Sequence, residues 1–354
     1  MRIVKKVKIE NKVVGYGEPC FIIAEAGVNH NGALEKALQL IDIAADAGAD
    51  AVKFQTFRAE QVVIDSGEMV EYQRKNIGEV KSQREMLREL ELDESYYPQL
   101  ISRCRERGIL FLSTPHGGKE SVDLLESLNV SAYKVGSGDL TNYILLEKLA
   151  ETARPIILSS GMADIEEIKG AVDFLRNKGA EDLVVLHCTT NYPTSPEEVN
   201  LAAMGQMMEE LDTVIGYSDH TEGDEAAIIA VTLGAAVYER HFTIDKSLPG
   251  PDHVASDNPE ELRRKIQAIR RVSVLLGSGE KLPTKSEFES MRTLVRKSIV
   301  AARAMAAGHV IAKEDLEAKR PADGTSPIEF ERFIGRKIKH EVPADHQLKF
   351  EDIQ

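Results

Sequence analysis

The sequence predicts an α/β chain, a (β/α)8 barrel of the TIM type followed by a small β-rich domain. Three observations carry that prediction. Eight short apolar runs alternate with eight longer amphipathic segments, no G-x-G-x-x-G follows the first run, and the alternation stops near residue 277. A doubly wound open sheet would also alternate strands and helices, but the missing glycine-rich turn favours the barrel.

The elements follow in order. Residues 3–15 alternate polar and apolar side chains and read as an N-terminal hairpin. The strand-like runs are CFIIAE (20–25), AVKF (51–54), ILFLS (109–113), AYKV (132–135), PIILSS (155–160), LVVLHC (183–188), TVIGYS (213–218) and AVYERHF (236–242). Helix-like segments lie between and after them at 33–47, 84–107, 118–128, 143–152, 164–178, 200–210, 223–233 and 259–276, several opening on a polar cap or early acidic residues. Residues 1–280 are thus assigned to the barrel. A polar stretch with Gly and Pro early, GSGEKLPTKSEFESMRTLVRKS, follows as a linker, placed at 281–296, with a short helical piece. From 297 to 354 come β-type runs (SIVAARAM, HVIA, IKHEV) broken by Gly308, Pro321, Gly324 and Pro343. A tail of that size is near the lower limit for folding alone, so it is expected to dock on something.

Composition narrows the function classes. The 354 residues are 42% hydrophobic and 29% charged, and the formal net charge is −14. An acidic surface argues against general binding to nucleic acid or an anionic membrane, while leaving room for a locally basic site. Three cysteines (Cys20, Cys104, Cys188) are too few for a disulfide framework and fit a reducing cytoplasm. The first residues lack the apolar core of a signal peptide, and no run of about 18 apolar residues suggests a membrane span. A soluble cytoplasmic protein is expected.

In such a barrel the chemistry sits at the C-terminal ends of the strands, where polar residues interrupt the apolar runs. Those residues are Glu25, Lys53 with Gln55, Thr114, Lys134 with the GSGD turn, Ser159 with Ser160, His187 ahead of CTTNYP, Ser218 to His220, and Glu239 with His241. Any one alone reads as a satisfied polar group at a loop mouth. Eight strand ends converging on one mouth read as a site. Lys53 and Lys134 interrupt apolar strands, and a buried ammonium needs an anion. Either protein carboxylates pair with them or both face an anionic ligand. With Ser137, Ser159, Ser218 and the GSG turn, a phosphate and carboxylate cradle is the preferred reading, and a Schiff-base lysine is the alternative. His220 and His241 end adjacent strands within reach of one metal ion, although two histidines alone are a weak metal signal. His30, His116, His187 and His253 are further polar candidates. The Gly- and Pro-rich KSLPGPDHVAS (246–256), carrying Asp252, could close over a ligand.

The motifs PCFIIAEAGVNHNG, DAVKFQTF, LFLSTP, YKVGSGDLTN, ILSSGM, HCTTNYPT, IGYSDHT and ERHFTIDK…GPDH, in this order, closely resemble the sialic acid synthase family. That family makes N-acetylneuraminic, legionaminic and pseudaminic acids. RKSIVAARAMAAGHVIAKEDLEAKRPADG resembles its C-terminal SAF, or antifreeze-like, domain. The resemblance implies condensation of phosphoenolpyruvate with an N-acylated amino sugar, and a divalent metal, manganese first, with magnesium or cobalt as alternatives. It implies His220 and His241 as metal ligands, with Glu25 in the chemistry. It likens Lys53, Thr114, Lys134, Ser137, Ser159, Thr190 and Ser218 to the phosphoenolpyruvate set. Gln55, Asp139, Tyr192 and Asp252 are similar to residues around the sugar, and Arg320 to an arginine that reaches a partner's site in a swapped homodimer. Two departures, Asp139 where some neuraminate synthases carry Glu and CTTNYP where they carry CTNIYP, look more like legionaminate-type synthases. The rival readings are a pseudaminate synthase, a synthase of the DAHP and KDO-phosphate group, a lysine aldolase, or a non-catalytic sugar-binding module.

Overall fold

Short runs rich in Val, Ile and Leu become parallel strands when helices cover one face and the other strands fill the other. The computed structural model describes residues 5–78 and 82–354 and divides into Met1–Gly277 and Ser278–Gln354. In the first unit β1 (Lys6–Ile9) and β2 (Lys12–Gly15) form an antiparallel hairpin, with Lys6 opposite Gly15. Residues 3 and 4 of the expected hairpin lie outside the described residues. Then come β3 (Phe21–Gly27), β4 (Ala51–Thr56), β5 (Leu110–Pro115), β6 (Tyr133–Val135), β7 (Ile156–Ser159), β8 (Leu183–Cys188), β9 (Val214–Asp219) and β10 (Val237–His241). All eight pair in parallel and close, β10 on β3, into a barrel.

Period two along each strand decides what the interior holds. Phe21, Ile23, Ala51, Leu112, Ala132, Ile157, Val184, Leu186, Val214 and Val237 form one buried cluster with Val7, Ile9 and Val14 of the hairpin. The hairpin therefore packs against the apolar interior of the barrel. Two residues further along the same faces stand Glu25, Lys53, Thr114, Lys134, Ser159, Cys188 and Glu239, all buried. The interior is thus apolar toward the strand starts and polar toward the strand ends. Gly216 belongs to this packing: a Cβ there would stand 2.6 Å from Leu186 Cδ2 and from the Val237 carbonyl.

The alternate faces, including Ile22, Val52, Phe111, Leu158, Val185 and Tyr238, form the outer core with the helices. Helices Ile165–Asn177 and Pro259–Leu276 start on Asp164 and Asn258, whose side chains accept backbone amides, with Glu167 and Glu261 completing capping boxes. One expected helix is corrected. The 84–107 segment is two helices, Gln83–Glu89 and Tyr97–Arg107. Asp93 accepts the Ser95 amide, and Pro98 tolerates only the first turn of a helix, so the segment restarts there. Two helical pieces, Ala59–Val62 and Glu71–Ile77, also occupy the long β4–β5 connection.

In the second unit β11 (Ser298–Ala301) pairs antiparallel with β12 (Leu316–Lys319) around a small core that includes Ile299, Met305, Ile311, Phe333, Ile338, Val342 and Leu348. The HVIA and IKHEV runs are not strands. They make single bridges, such as Val310 with Lys337 and Met305 with Val342, because turns at Gly308 and Gly335 leave no room for ladders. Asp315 ties this unit together. Buried, it accepts from Arg303 Nε at 2.7 Å, His309 Nε2 at 2.7 Å and the Ala312 amide at 2.9 Å. Burial alone would raise its carboxyl, but these donors and the Arg303 charge bring it down to about 2. Its contribution is therefore complete above the unfolded value of about 3.9 and is lost as pH falls through about 2. Asp315→Ala is expected to destabilise this unit by about 2–4 kcal/mol at neutral pH, read by chemical denaturation of the full chain. A loss below about 1 kcal/mol would remove Asp315 from the stability argument.

Candidate active site

The polar ends of the strands meet in one ionic cluster. Lys53 Nζ lies 3.1 Å from Glu25 Oε2 and 3.4 Å from Glu239 Oε1, and Lys134 Nζ is 3.4 Å from the same Glu239 oxygen. The strand register explains the first contact, since Lys53 is paired with Glu25. Lys53 also donates to Thr114 Oγ1 at 3.3 Å, Lys134 donates to Ser159 Oγ at 2.7 Å, and Ser218 Oγ donates to Glu239 at 3.3 Å. Of the two options for the lysines, protein carboxylates meet both of them here. Two ammoniums and two carboxylates share the barrel mouth, so an entering dianion competes with glutamates the chain itself supplies.

The environments of these groups differ. Burial pushes the Glu25 carboxyl up against the opposing pull of Lys53. Burial also penalises Glu239, but Lys134 and Lys53 together pull it below the ordinary range. Burial works against the Lys53 ammonium, and the two glutamates overcome it and raise its pKa. Burial wins at Lys134, which is lowered. A carboxyl held up beside one held down is the arrangement that separates a proton carrier from a permanent anion.

The histidines stand beside this cluster. The rings of His220 and His241 are 5.6 Å apart, and the Tyr192 ring lies 4.1 Å from the first and 5.6 Å from the second. His220 Nδ1 is 2.7 Å from the Thr189 carbonyl, which leaves Nε2 as its remaining ring nitrogen. His241 Nδ1 and Glu239 Oε2 are buried without a hydrogen-bond partner. Burial lowers His220 to about 4 and holds His241 well below the ordinary histidine value, so both imidazoles are neutral at physiological pH, the form that ligates metals. Among the described residues no group of three or more His, Cys, Asp or Glu is arranged to hold a metal ion. What is present is two neutral imidazoles beside an unsatisfied carboxylate oxygen. That donor chemistry fits an open divalent site whose other positions go to water and substrate.

A cavity of about 1040 Å³ is lined among others by Gln55, Tyr192, Thr190, His241 and Asp252. Gln55 Nε2 donates to Glu25 Oε1 at 3.3 Å. Asp139 lies 3.4 Å from His116 Nδ1, a cavity residue, and accepts from Asn142. Ser137 Oγ accepts the Gly161 amide at 3.0 Å and lies 3.1 Å from Cys188 Sγ. A Cβ on Gly161 would stand 2.1 Å from Thr190 Oγ1 and 2.8 Å from Ser137 Oγ, so only glycine fits where these groups converge. Burial raises Asp252 to about 6. Its loop is pinned by Asn31 Nδ2 on the Pro249 carbonyl and Asn76 Nδ2 on the Pro251 carbonyl. Three lone histidines have other duties: His187 bonds the Val199 carbonyl, His253 bonds Thr243 and Asn31, and His30 Nδ1 accepts the Gly32 amide. Arg320 belongs to the second unit, where its Nε donates to the Val295 carbonyl.

Two further residues complete the site. Glu239 joins both lysines and Ser218, and the signal was its position two residues before His241 inside an apolar strand. Tyr72 packs its ring at a tilt against Tyr192 with centroids 5.3 Å apart, from a helix that carries no periodic signal.

The NeuB family profile matches residues 40–281 and the SAF domain profile residues 296–354. The N,N'-diacetyllegionaminic acid synthase of Legionella pneumophila is 44% identical over 344 residues, 96% of this chain and 96% of its own. The N-acetylneuraminate-9-phosphate synthase of Homo sapiens is 36% identical over 338 residues, 95% of this chain and 93% of its own. The crystal structure of N-acetylneuraminic acid synthetase from Leptospira borgpetersenii matches at a TM-score of 0.71 and 34% identity, over 81% of this chain and 95% of that one. Among the described residues no helix is long and apolar enough to cross a membrane.

Proposed function

The chain belongs to the NeuB family, and from that premise we propose that it condenses phosphoenolpyruvate with a neutral N-acylated amino sugar and water, giving a sialic-type nonulosonic acid and phosphate. The observation that carries the reading is the buried Glu25–Lys53–Glu239–Lys134 cluster beside His220 and His241 at the polar mouth of the barrel. In this reaction carbon 3 of the enol bonds to the aldehyde carbon of the open-chain sugar. Water adds at carbon 2, and the C–O bond to phosphate then breaks. Lys53 and Lys134 hold the phosphate and carboxylate of phosphoenolpyruvate, with hydroxyls of Thr114, Ser137, Ser159, Thr190 and Ser218 around them. Glu25 takes the proton of the adding water and returns it to the alkoxide formed from the aldehyde. His220 and His241 would hold a divalent metal, manganese in our reading, which when bound supplies Lewis-acid polarisation of a carbonyl oxygen. Gln55, Asp139, Tyr192 and Asp252 face the sugar. In the same reading Arg320 serves the partner's site in a swapped homodimer, and the protein works in the cytoplasm, where its three free cysteines stay reduced.

The charge of the cavity favours a neutral sugar. Among the described residues its wall carries Glu71, Glu198 and Asp252 against one ammonium, that of Lys75, while Val62, Val70, Met86, Leu87 and Leu90 make another part apolar. A sugar phosphate would meet carboxylates there, and an apolar wall suits a deoxygenated sugar carbon. The legionaminate precursor 2,4-diacetamido-2,4,6-trideoxymannose and N-acetylmannosamine are therefore both placed ahead of N-acetylmannosamine 6-phosphate. Phosphate release from phosphoenolpyruvate, measured for these three sugars with and without manganese, tests the reading. The neutral sugars are expected to exceed the phosphorylated one by at least about 10-fold in kcat/KM. Turnover confined to the 6-phosphate overturns the neutral sugar. Release with none of them, together with borohydride trapping of pyruvate on Lys53 or Lys134, overturns the synthase for an aldolase.

A further inference from the structure

A second buried ionic network lies on the opposite face of the same two strands, and nothing in the reaction above uses it. Arg240, between Glu239 and His241, points into the layer between barrel and helices. Its Nε and Nη2 reach Asp257 Oδ1 at 2.9 and 2.7 Å, and Lys265 Nζ of helix Pro259–Leu276 reaches Asp257 Oδ2 at 2.8 Å. Asp219, at the end of β9, accepts the Tyr238 hydroxyl at 2.6 Å and the Tyr217 hydroxyl at 3.3 Å. All four charged side chains are buried, and two cations balance two carboxylates. Isolated burial of that many charges is unfavourable, and apolar residues of equal volume would fill an outer layer as well.

The network's remaining bonds show where it acts. Arg240 Nη1 donates to the carbonyl of Asp219, the residue before His220, and Asp219 Oδ1 accepts the amide of Thr221, the residue after it. The amide of Asp257 donates to the His241 carbonyl, and its carbonyl accepts the amide of Thr243. Both histidine-bearing strand ends are thus fastened to one set of charges. We infer that Asp219, Arg240, Asp257 and Lys265 are positioning residues that set the separation and aim of His220 and His241 from outside the barrel. The inference rests on the proposed metal at those histidines. Helix Pro259–Leu276 becomes part of the metal site's frame through Lys265, whose ammonium never enters the mouth.

The test is direct manganese binding to the full chain, followed by electron paramagnetic resonance of the free ion, with circular dichroism to confirm folding. Lys265→Met is expected to lower affinity about 10-fold, and the charge-balanced Asp257→Asn/Lys265→Met double variant up to about 100-fold, the range seen when groups behind metal ligands are removed. Lys265→Arg, which keeps the ion pair, is expected to restore wild-type binding. A folded Lys265→Met or double variant that binds manganese within about two-fold of wild type overturns the inference. If Asp257→Asn/Lys265→Met does not fold, Lys265→Met and Lys265→Arg decide. His241→Ala separates the two ideas. Wild-type binding that this substitution leaves unchanged removes the metal from the histidines, whatever the outer variants do.

Discussion

Glu25→Gln is expected to lower turnover by about 10²- to 10⁴-fold while phosphoenolpyruvate binds within about three-fold of wild type. The substitution keeps the shape of the side chain and its contact with Gln55, and it removes the ability to accept a proton. Glu25 is the suitable carrier because burial raises its carboxyl while neighbouring Glu239 is pulled down by Lys134 and Lys53. The sign of the pH dependence follows. The base form is needed, so the rate falls as pH drops through the raised value of Glu25, above the ordinary carboxylate range. In Glu25→Gln that acid limb is expected to vanish, leaving a low, flat profile. Equal turnover in wild type and variant, measured by phosphate release at saturating substrates, would take Glu25 out of the chemistry. The binding readout, by isothermal titration with phosphoenolpyruvate, separates loss of a proton carrier from collapse of the lysine cluster.

Much of this site was legible because period two in a strand is arithmetic. Once Ile23, Ala51, Leu112, Ala132, Ile157 and Val237 are taken as interior, Glu25, Lys53, Thr114, Lys134, Ser159 and Glu239 follow two residues later on the same faces. What could not be read is pairing across strands. That Glu239 meets both lysines depends on barrel closure, which brings chain positions more than a hundred residues apart within 3.4 Å. Residue types alone leave open whether protein carboxylates or an anionic ligand meet the lysines, and only the closed barrel brings Glu239 to both of them. The 84–107 helix was overextended for a local reason, since the helical period continues across a boundary set by the Asp93 cap and Pro98. In the second unit HVIA and IKHEV have strand composition, but only Ser298–Ala301 finds a ladder, on the polar LEAK segment that carries no strand signal. The Arg240–Asp257–Lys265 network was hidden for the opposite reason. Its residues look like ordinary surface charges until the outer layer is packed.

His220→Ala and His241→Ala are expected to bind no manganese at micromolar concentration and to lose at least about 10³-fold in kcat/KM. The two positions should fail for different structural reasons. His220 is held by its Nδ1 contact with the Thr189 carbonyl, in the segment that continues through Thr190 and Tyr192. His220→Ala therefore also frees that segment, and the KM for sugar should rise along with the loss of metal. His241 Nδ1 has no hydrogen-bond partner, so His241→Ala breaks no hydrogen bond at that nitrogen and should abolish metal binding without freeing a neighbouring segment. Removing a buried neutral ring still leaves a cavity beside Tyr192, which costs about 1–3 kcal/mol. Chelation of the wild-type protein is the companion measurement, with activity expected to disappear and to return with manganese. Full activity after chelation, with metal analysis confirming removal, would end the metal reading and leave His220 and His241 as hydrogen-bonding groups for the sugar. Loss of activity in both variants with manganese binding intact would place the metal elsewhere in the mouth, and the unsatisfied oxygen of Glu239 would be the next residue to replace.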